Sequence, residues 1–384
     1  MGIMVLIPSY NVAPTIAYVV STAAKGLKEY FPDQDNLILV SDGGSTNGTV
    51  EVVKSLKIKD VEVRVERYKG IPGKGSAILY GLEMAVNGGY DAVIMLDSDL
   101  RSVEPWWIRL LGEAAGSYGL VTPLYVRDKH DGTITKTLAY PTIKSVFGAD
   151  VRQPIGGDFG ISSTLAKVLL ERKEEFAPDV YRFGIDFFIT STAVAEDMRI
   201  ARADLGSKIH SPKDPGKHLK GMFFDVSRTV IRAILKYWRK AKSRRGVSTD
   251  LLKWRYSWRC PQHVEVDIKA NINRFITEYR EKRRLLRELL GGYTDEIDIV
   301  VDRLKRGLPE AFPDDLWAKL FFKLAVEFRR EMEKSTEALY ILWLGKVASY
   351  LQDSADLDIE GAEKRVEGIV RAFKENLRLL TALD

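Results

Sequence analysis

The stretch Val93-Ile94-Met95-Leu96-Asp97-Ser98-Asp99-Leu100 constrains this chain more than any other. Its apolar, partly β-branched run reads as a buried strand. The run stops abruptly at two carboxylates spaced i, i+2. A buried strand holds two anions cheaply only where a cation neutralises them. If the strand ends at Leu96, the carboxylates stand at its carboxyl edge, where open α/β sheets bind ligands. Hard oxygen donors there suit Mg2+ or Mn2+ carrying a phosphate-bearing substrate. The competing reading is an Asx-type turn leaving a strand.

The flanking sequence decides between the two. Ile3 to Ile7 is a first apolar strand, and Pro14 suits the first turn of the helix after it. In that helix Ile16, Val19, Val20, Ala23, Ala24 and Leu27 form one apolar face. Leu37 to Val40 is a second strand, followed by a turn cluster and a helix over roughly 47–57. Val61, Val63 and Val65 alternate as a third strand, and a helix from about Ser76 to Val86 leads to the Asp97 strand. This β-α-β-α-β-α-β order predicts a mostly parallel α/β sheet flanked by helices.

Pro8-Ser9-Tyr10, Ser41-Asp42-Gly43 and Asp97-Ser98-Asp99 each follow a strand, so they converge on one sheet edge. Tyr10 offers a ring for stacking on a nucleobase, and Asp42 offers acceptors for a base edge or ribose. Gly73 and Gly75 let backbone approach a ligand, and Lys74 between them supplies a point charge for phosphate. Gly73-Lys74-Gly75 lacks the spacing of a P-loop, and no Gly-x-Gly-x-x-Gly follows the first strand. A nucleotidyltransferase, which also pairs a glycine- and lysine-containing loop with two carboxylates, usually carries that loop after its first strand. That position here holds Pro8-Ser9-Tyr10.

These motifs, in this order, resemble the nucleotide-sugar half of a GT-A glycosyltransferase, over about residues 3–126. The resemblance implies a GT-A fold (Rossmann-like, nucleotide-diphospho-sugar transferase). It implies that Pro8, Tyr10 and Asp42 line the nucleoside pocket and that Lys74, with Gly73 and Gly75, lies near the nucleotide. Asp97, Ser98 and Asp99 would form the turn that meets ribose, donor diphosphate and a divalent cation, Mg2+ or Mn2+.

Farther on, a strand over Leu120–Tyr125 leads to a polar loop from Arg127 to Thr135. Then come Gln153-Pro154-Ile155-Gly156-Gly157-Asp158, Phe183-Gly184-Ile185-Asp186 and Asp204-Leu205-Gly206-Ser207-Lys208-Ile209-His210. In order and spacing these are similar to glucosyl-3-phosphoglycerate synthases and mannosylglycerate synthases, to about residue 220. Such enzymes are retaining and place a hexose on the 2-hydroxyl of glycerate or phosphoglycerate, making a compatible solute. The resemblance implies a donor of UDP-glucose or GDP-mannose and an acceptor of D-glycerate or 3-phosphoglycerate. It places Gly156 and Gly157 around donor sugar and acceptor, Asp186 as a catalytic and acceptor-side carboxylate with Lys74, and His210 beside Asp99 as a metal ligand. His218 is the rival ligand. Arg127, Thr133 and Thr135 fall in the acceptor loop. Where the phosphoglycerate enzymes carry an arginine, this chain has Thr133, which cannot offer a phosphate a bidentate fork. That departure favours free glycerate.

From about Val226 long segments with helical periodicity follow, so residues 1–225 are expected as the catalytic domain and 226–384 as a helical domain. The catalytic part divides into a donor half, about 1–126, and an acceptor half, about 127–225. Between Arg228 and Arg259 basic residues, Arg245 among them, greatly outnumber acids, with Trp238, Trp254 and Trp258 interleaved. With no nucleic-acid motif beside them, they read as a solvated face whose tryptophans pack inward. The net charge of +5 does not imply nucleic acid. The single Cys260 excludes an internal disulfide. No apolar run approaches the roughly 18–20 residues of a membrane helix, and no signal peptide is evident. A cytoplasmic protein without stable membrane insertion is expected, and the helices offer surface for a homo-oligomer. The alternative enzyme is an inverting GT-A transferase acting on a polyprenyl phosphate or polysaccharide. A non-enzymatic binding module is the remaining reading.

Overall fold

The computed structural model describes residues 2–210, 215–244, 246–255 and 260–384, and leaves aside the side chains of 215–218. The chain opens β1 (Ile3–Ser9), α1 (Ala13–Tyr30), β2 (Leu37–Asp42), α2 (Thr49–Ser55), β3 (Glu62–Arg67), α3 (Lys74–Asn87) and β4 (Ala92–Met95). It continues α4 (Pro105–Leu111), β5 (Leu120–Val126), α5 (Tyr140–Ser145), β6 (Gly160–Ser162), α6 (Ser163–Arg172), α7 (Ile185–Ala195) and β7 (Ile200–Ser207). Then come α8 (Pro215–Ala241), β8 (Thr249–Lys253), α9 (Ile268–Leu290), α10 (Tyr293–Lys305), α11 (Asp314–Glu327), α12 (Met332–Ser354) and α13 (Ile359–Glu375).

Two compact units divide these elements. One holds Met1–Arg127, Asp150–Lys213 and Val247–Gln262; the other holds Asp128–Ala149, Asp214–Gly246 and His263–Asp384. The boundary expected at 225 falls inside α8, and the units interleave along the chain.

The first unit is built on one eight-stranded sheet in the order β3-β2-β1-β4-β6-β5-β7-β8. Its parallel strands follow from the helical crossovers read in the sequence. Ile3, Val5 and Ile7 of β1 face Ile16, Val19, Val20 and Leu27 of α1, as the helical spacing predicts. Gly26 lets α1 approach α4: a Cβ there would lie 2.5 Å from the Pro105 carbonyl. Strand β6 runs antiparallel to both β4 and β5. Every other strand points its carboxyl end to the same edge, so the segment that enters β6, Gln153–Phe159, arrives at that edge too.

Strand β8 is absent from the sequence reading. It pairs in parallel with β7, Ile200 opposite Thr249. Trp254 then stacks on Trp106 at 5.8 Å and meets Tyr30 edge-on. This inward packing matches the reading of Trp254, while Arg245, Trp258 and Arg259 lie outside the described residues.

The second unit is helical. Its buried Trp317 and Trp343 both donate to Thr137, to the carbonyl at 2.8 Å and to the hydroxyl at 3.0 Å. Trp238 is buried and donates to the Asp384 carboxylate at 3.0 Å. The polar loop expected to run to Thr135 ends earlier, because helix begins at Thr133 and passes through a π-turn over Thr135–Ala139. Among the described residues no helix is long and apolar enough to cross a membrane.

Candidate active site

The loops that follow β1, β2, β4 and β7 all belong to the first unit. Ser9 and Asp42 end β1 and β2 in register, and the Ser9 hydroxyl donates to Asp42 Oδ1 at 3.0 Å. Asp42 also accepts the Gly44 N–H at 2.7 Å, the Ser45 N–H at 2.8 Å and the Ser45 hydroxyl at 2.6 Å. Burial pushes the Asp42 carboxyl up, but the bonds from Ser45, Gly44 and Ser9 outweigh it and hold the carboxyl below its ordinary value. Asp42 therefore shapes its own turn, where the sequence reading assigns its oxygens to a nucleoside. Pro8 is buried within β1. Tyr10, the next residue after the strand, is 64% exposed and presents its ring beside Gly43.

Gly73-Lys74-Gly75 opens α3. A Cβ on Gly75 would lie 1.9 Å from the Val180 carbonyl, and one on Gly73 would lie 2.5 Å from the Tyr181 carbonyl. These glycines admit the backbone at 180–182, a close approach that the sequence reading does not foresee. The Gly75 N–H donates to the Arg182 carbonyl at 3.0 Å. Lys74 is thereby aimed between two carboxylates, 2.9 Å from Asp97 Oδ1 and 3.1 Å from Asp186 Oδ2. Burial works against its charge, and Asp186 and Asp97 reverse that and hold the ammonium protonated.

Asp97 meets a second ammonium. Lys208, just past β7, donates to Asp97 Oδ2 at 2.7 Å, to Asp158 Oδ2 at 2.8 Å and to the Gly156 carbonyl at 2.8 Å. Asp158 Oδ1 accepts the Asp97 N–H at 2.8 Å, and Oδ2 accepts the Tyr125 hydroxyl at 2.6 Å. The result is a chain of alternating charge, Asp186–Lys74–Asp97–Lys208–Asp158. Two lysines thus neutralise Asp97, the carboxylate that the sequence reading assigns to the donor, while the metal ligands of that reading are Asp99 and His210. Gln153 secures the entering segment by donating to the Tyr125 carbonyl at 2.9 Å. Gly157, at φ +87°, passes so close that a Cβ would lie 2.4 Å from Asp97 Oδ2. Lys208, Tyr125 and Gln153 are the residues sequence reasoning does not single out. The available signal is that Lys208 stands at a strand end two residues before His210.

The turn itself is tied down from both sides. The Ser98 carbonyl accepts the Thr15 hydroxyl of α1 at 2.8 Å. On the other side Leu100 forms an antiparallel bridge with His210, and the Arg101 N–H donates to the Ile209 carbonyl at 2.8 Å. Asp99 and His210 are thereby one bridge apart, although they are far apart in the chain. Among the described residues no group of three or more His, Cys, Asp and Glu could hold a metal ion. An imidazole and a carboxylate fit a cation whose remaining positions are filled by diphosphate oxygens and water, the habit of Mg2+ at phosphate sites. The side chain of His218 lies outside the described residues.

Asp186 stands in the first turn of α7, a helix buried on every side, where a carboxylate is favoured by the helix amino terminus. Among the described residues its Oδ1 is buried without a hydrogen-bond partner. Burial raises its pKa, and Lys74 only partly offsets this. Of the expected acceptor residues, Arg127, Gly156, Gly157 and Asp186 belong to this unit. Thr133 and Thr135 belong to the other, buried in the helix that begins at Thr133, not in an open loop.

Comparison with known proteins shows what part of this chain is similar to. Residues 4–166 match the family described as glycosyl transferase family 2. Among solved structures, similarity extends to glucosyl-3-phosphoglycerate synthase from Mycobacterium tuberculosis in complex with Mn2+, uridine-diphosphate and glucosyl-3-phosphoglycerate. That match has 22% identity and a TM-score of 0.48, and covers 60% of this chain and 80% of that one. The same synthase in complex with phosphoglyceric acid matches at 21% identity and TM-score 0.45, with the same coverage. The matched stretch 4–166, under half of the chain, holds β1 to β6 and the whole Asp97-Ser98-Asp99 turn, and it is this part of the chain that is similar to glycosyl transferase family 2.

Proposed function

We propose that this protein is a glycosyltransferase that moves a hexose from a nucleotide-diphosphate sugar, UDP-glucose or GDP-mannose, to the 2-hydroxyl of D-glycerate or 3-phosphoglycerate, with retention at the anomeric carbon. The observation that carries the reading is the bridge that sets His210 beside the Asp99 turn. Asp99 and His210 hold Mg2+ or Mn2+, which supplies charge neutralisation at the diphosphate leaving group. Tyr10, exposed past β1, stacks on the base. Asp97, held between two lysine ammoniums, accepts hydrogen bonds from donor hydroxyls. Asp186, with one carboxylate oxygen buried and unpartnered, accepts from a substrate hydroxyl at the reacting end. Retention needs no protein base if the departing phosphate oxygen takes the acceptor proton on the same face.

The test is one grid: UDP-glucose and GDP-mannose crossed with D-glycerate and 3-phosphoglycerate, each with Mg2+, with Mn2+ or with chelator. Metal-dependent glycoside in one row, absent from Asp99→Ala, is the expected result. Transfer that survives chelation overturns the metal assignment. Donor hydrolysis with no glycoside in any cell overturns the glycerate acceptor and directs the search to polyprenyl phosphate and polysaccharide.

A further inference from the structure

An ammonium group has three donors and no acceptor. All three of the Lys208 protons have partners: Asp97 Oδ2, Asp158 Oδ2 and the Gly156 carbonyl, at 2.7, 2.8 and 2.8 Å. The side chain is 4% exposed, and the Tyr125 ring lies 5.3 Å from the ammonium. A lysine so enclosed has no proton left for a diphosphate. What it does is hold other groups. Asp97 and Asp158 direct one oxygen each at the same ammonium, so the two carboxylates stand close together with that cation shared between them. Asp158 is fixed in turn by the Tyr125 hydroxyl and by the Asp97 N–H. Gly157 passes so close to this pair that an added Cβ would lie 2.4 Å from Asp97 Oδ2.

We propose that Lys208 is a positioning residue for glycosyl transfer: its fully bonded ammonium locks the Asp97 carboxylate onto the Gly156–Asp158 turn and keeps Asp97 and Asp158 from repelling each other. The inference rests on the reading of this sheet edge as the transfer site. Without the cation, the fully buried Asp158 carboxylate and the partly buried Asp97 carboxylate are left facing each other, a costly arrangement that drives Asp97 off its position. Arginine keeps the charge, but its planar fork does not reproduce three bonds radiating from one nitrogen. Removing the second carboxylate instead relieves the repulsion, and an asparagine at 158 retains an acceptor for the Asp97 N–H and brings an N–H for the Asp97 carboxylate.

The experiment compares Lys208→Met, Lys208→Arg, Asp158→Asn and the double variant Lys208→Met/Asp158→Asn, using the donor and acceptor that the wild-type protein accepts. Thermal melting identifies the temperature at which each is folded. Lys208→Met is expected to lower kcat on the order of 100-fold, a loss typical of a misplaced catalytic group, with Lys208→Arg recovering part of it. The double variant is expected to be at least about tenfold faster than Lys208→Met. That recovery separates positioning by charge from simple loss of packing, which a second substitution in the same buried cluster would deepen. If Lys208→Met alone fails to fold, the double variant is compared with wild type instead: a folded double variant within about tenfold of wild-type kcat supports the proposal, and one that loses on the order of 100-fold overturns it. A Lys208→Met kcat equal to wild type, or a double variant no faster than Lys208→Met, overturns the proposal. Absence of transfer by the wild-type protein overturns the functional reading instead.

Discussion

Asp186 and Asp42 are both carboxylates at the sheet edge, yet their surroundings give them opposite uses. Asp42 has Ser9, Gly44 and Ser45 around it, four donors in all, and its ionised form is favoured. Its contribution to stability is present above the ordinary carboxylate pKa, about 3.9, and is lost as pH falls through the lower folded value. Melting temperature measured against pH is therefore expected to drop on acidification below about pH 4 by less in Asp42→Asn than in wild type. Parallel curves would remove Asp42 as a stabilising anion. Asp186 has one lysine and an unpartnered buried oxygen, and burial raises its pKa. Asp186→Asn keeps the shape and removes the charge, so the fold is expected to persist while transfer falls roughly 100-fold, the cost of a charge-assisted hydrogen bond lost in the transition state. Kinetics on the folded variant check this, and an unchanged kcat/KM would remove Asp186 from the chemistry. Both residues drew attention in the sequence, Asp42 because it follows a strand and Asp186 because its segment resembles that of known synthases. The difference in use was not legible there, since it depends on donors supplied by Ser9 and Lys74, far away in the chain.

At the scale of elements, the hydrophobic periodicity located β1 to β5, α1 to α3 and the long carboxyl-terminal helices, because each buries a whole face and carries that face in its residue spacing. It passed over β6, three residues long and paired against the direction of its neighbours, and β8, whose Thr249–Lys253 has alternate residues exposed at the end of the sheet. Short strands are specified by partners more than by their own sequence. The glycines tell the same story. Gly73 and Gly75 signalled a close approach, which is real, but what approaches is the 180–182 backbone. Gly75→Ala would bring a Cβ against two backbone carbonyl groups that cannot move without shifting the first turn of α3. It is expected to destabilise the first unit by on the order of 3 kcal/mol, read as a fall in denaturant midpoint. Gly116→Ala, where an added Cβ meets nothing within 4 Å, serves as the neutral control. Equal midpoints for the two would mean that the α3 contact is slack.

The whole molecule is divided in space differently from the way its sequence texture divides. A change from alternating strands and helices to continuous helical periodicity near Val226 suggests a cut there, but the first unit takes back Val247–Gln262 after α8. That return has a physical basis visible within the first unit alone. β8 covers the outer edge of β7, with Thr249 to Lys253 paired against Ile200 to Asp204. Asp250 accepts from Tyr118 at 3.0 Å and Arg199 at 2.8 Å. Trp254 covers Trp106, lying parallel to it at 5.8 Å, and abuts Tyr30 at the end of α1. An uncovered strand edge beside an exposed tryptophan favours association between chains. Burial of a tryptophan and its stacking contributes several kcal/mol, a large part of the margin by which a domain is stable. A fragment of residues 1–225, the division the sequence texture invites, is therefore expected to aggregate or to melt well below a fragment of residues 1–262, which keeps β8 and Trp254. Within the longer fragment, Trp254→Ala is expected to lower the melting temperature toward that of the shorter one. Sedimentation and thermal melting on the three proteins decide the matter. A 1–225 fragment as soluble and as stable as 1–262 would show that the edge of β7 needs no cover and that β8 is a passenger on the sheet.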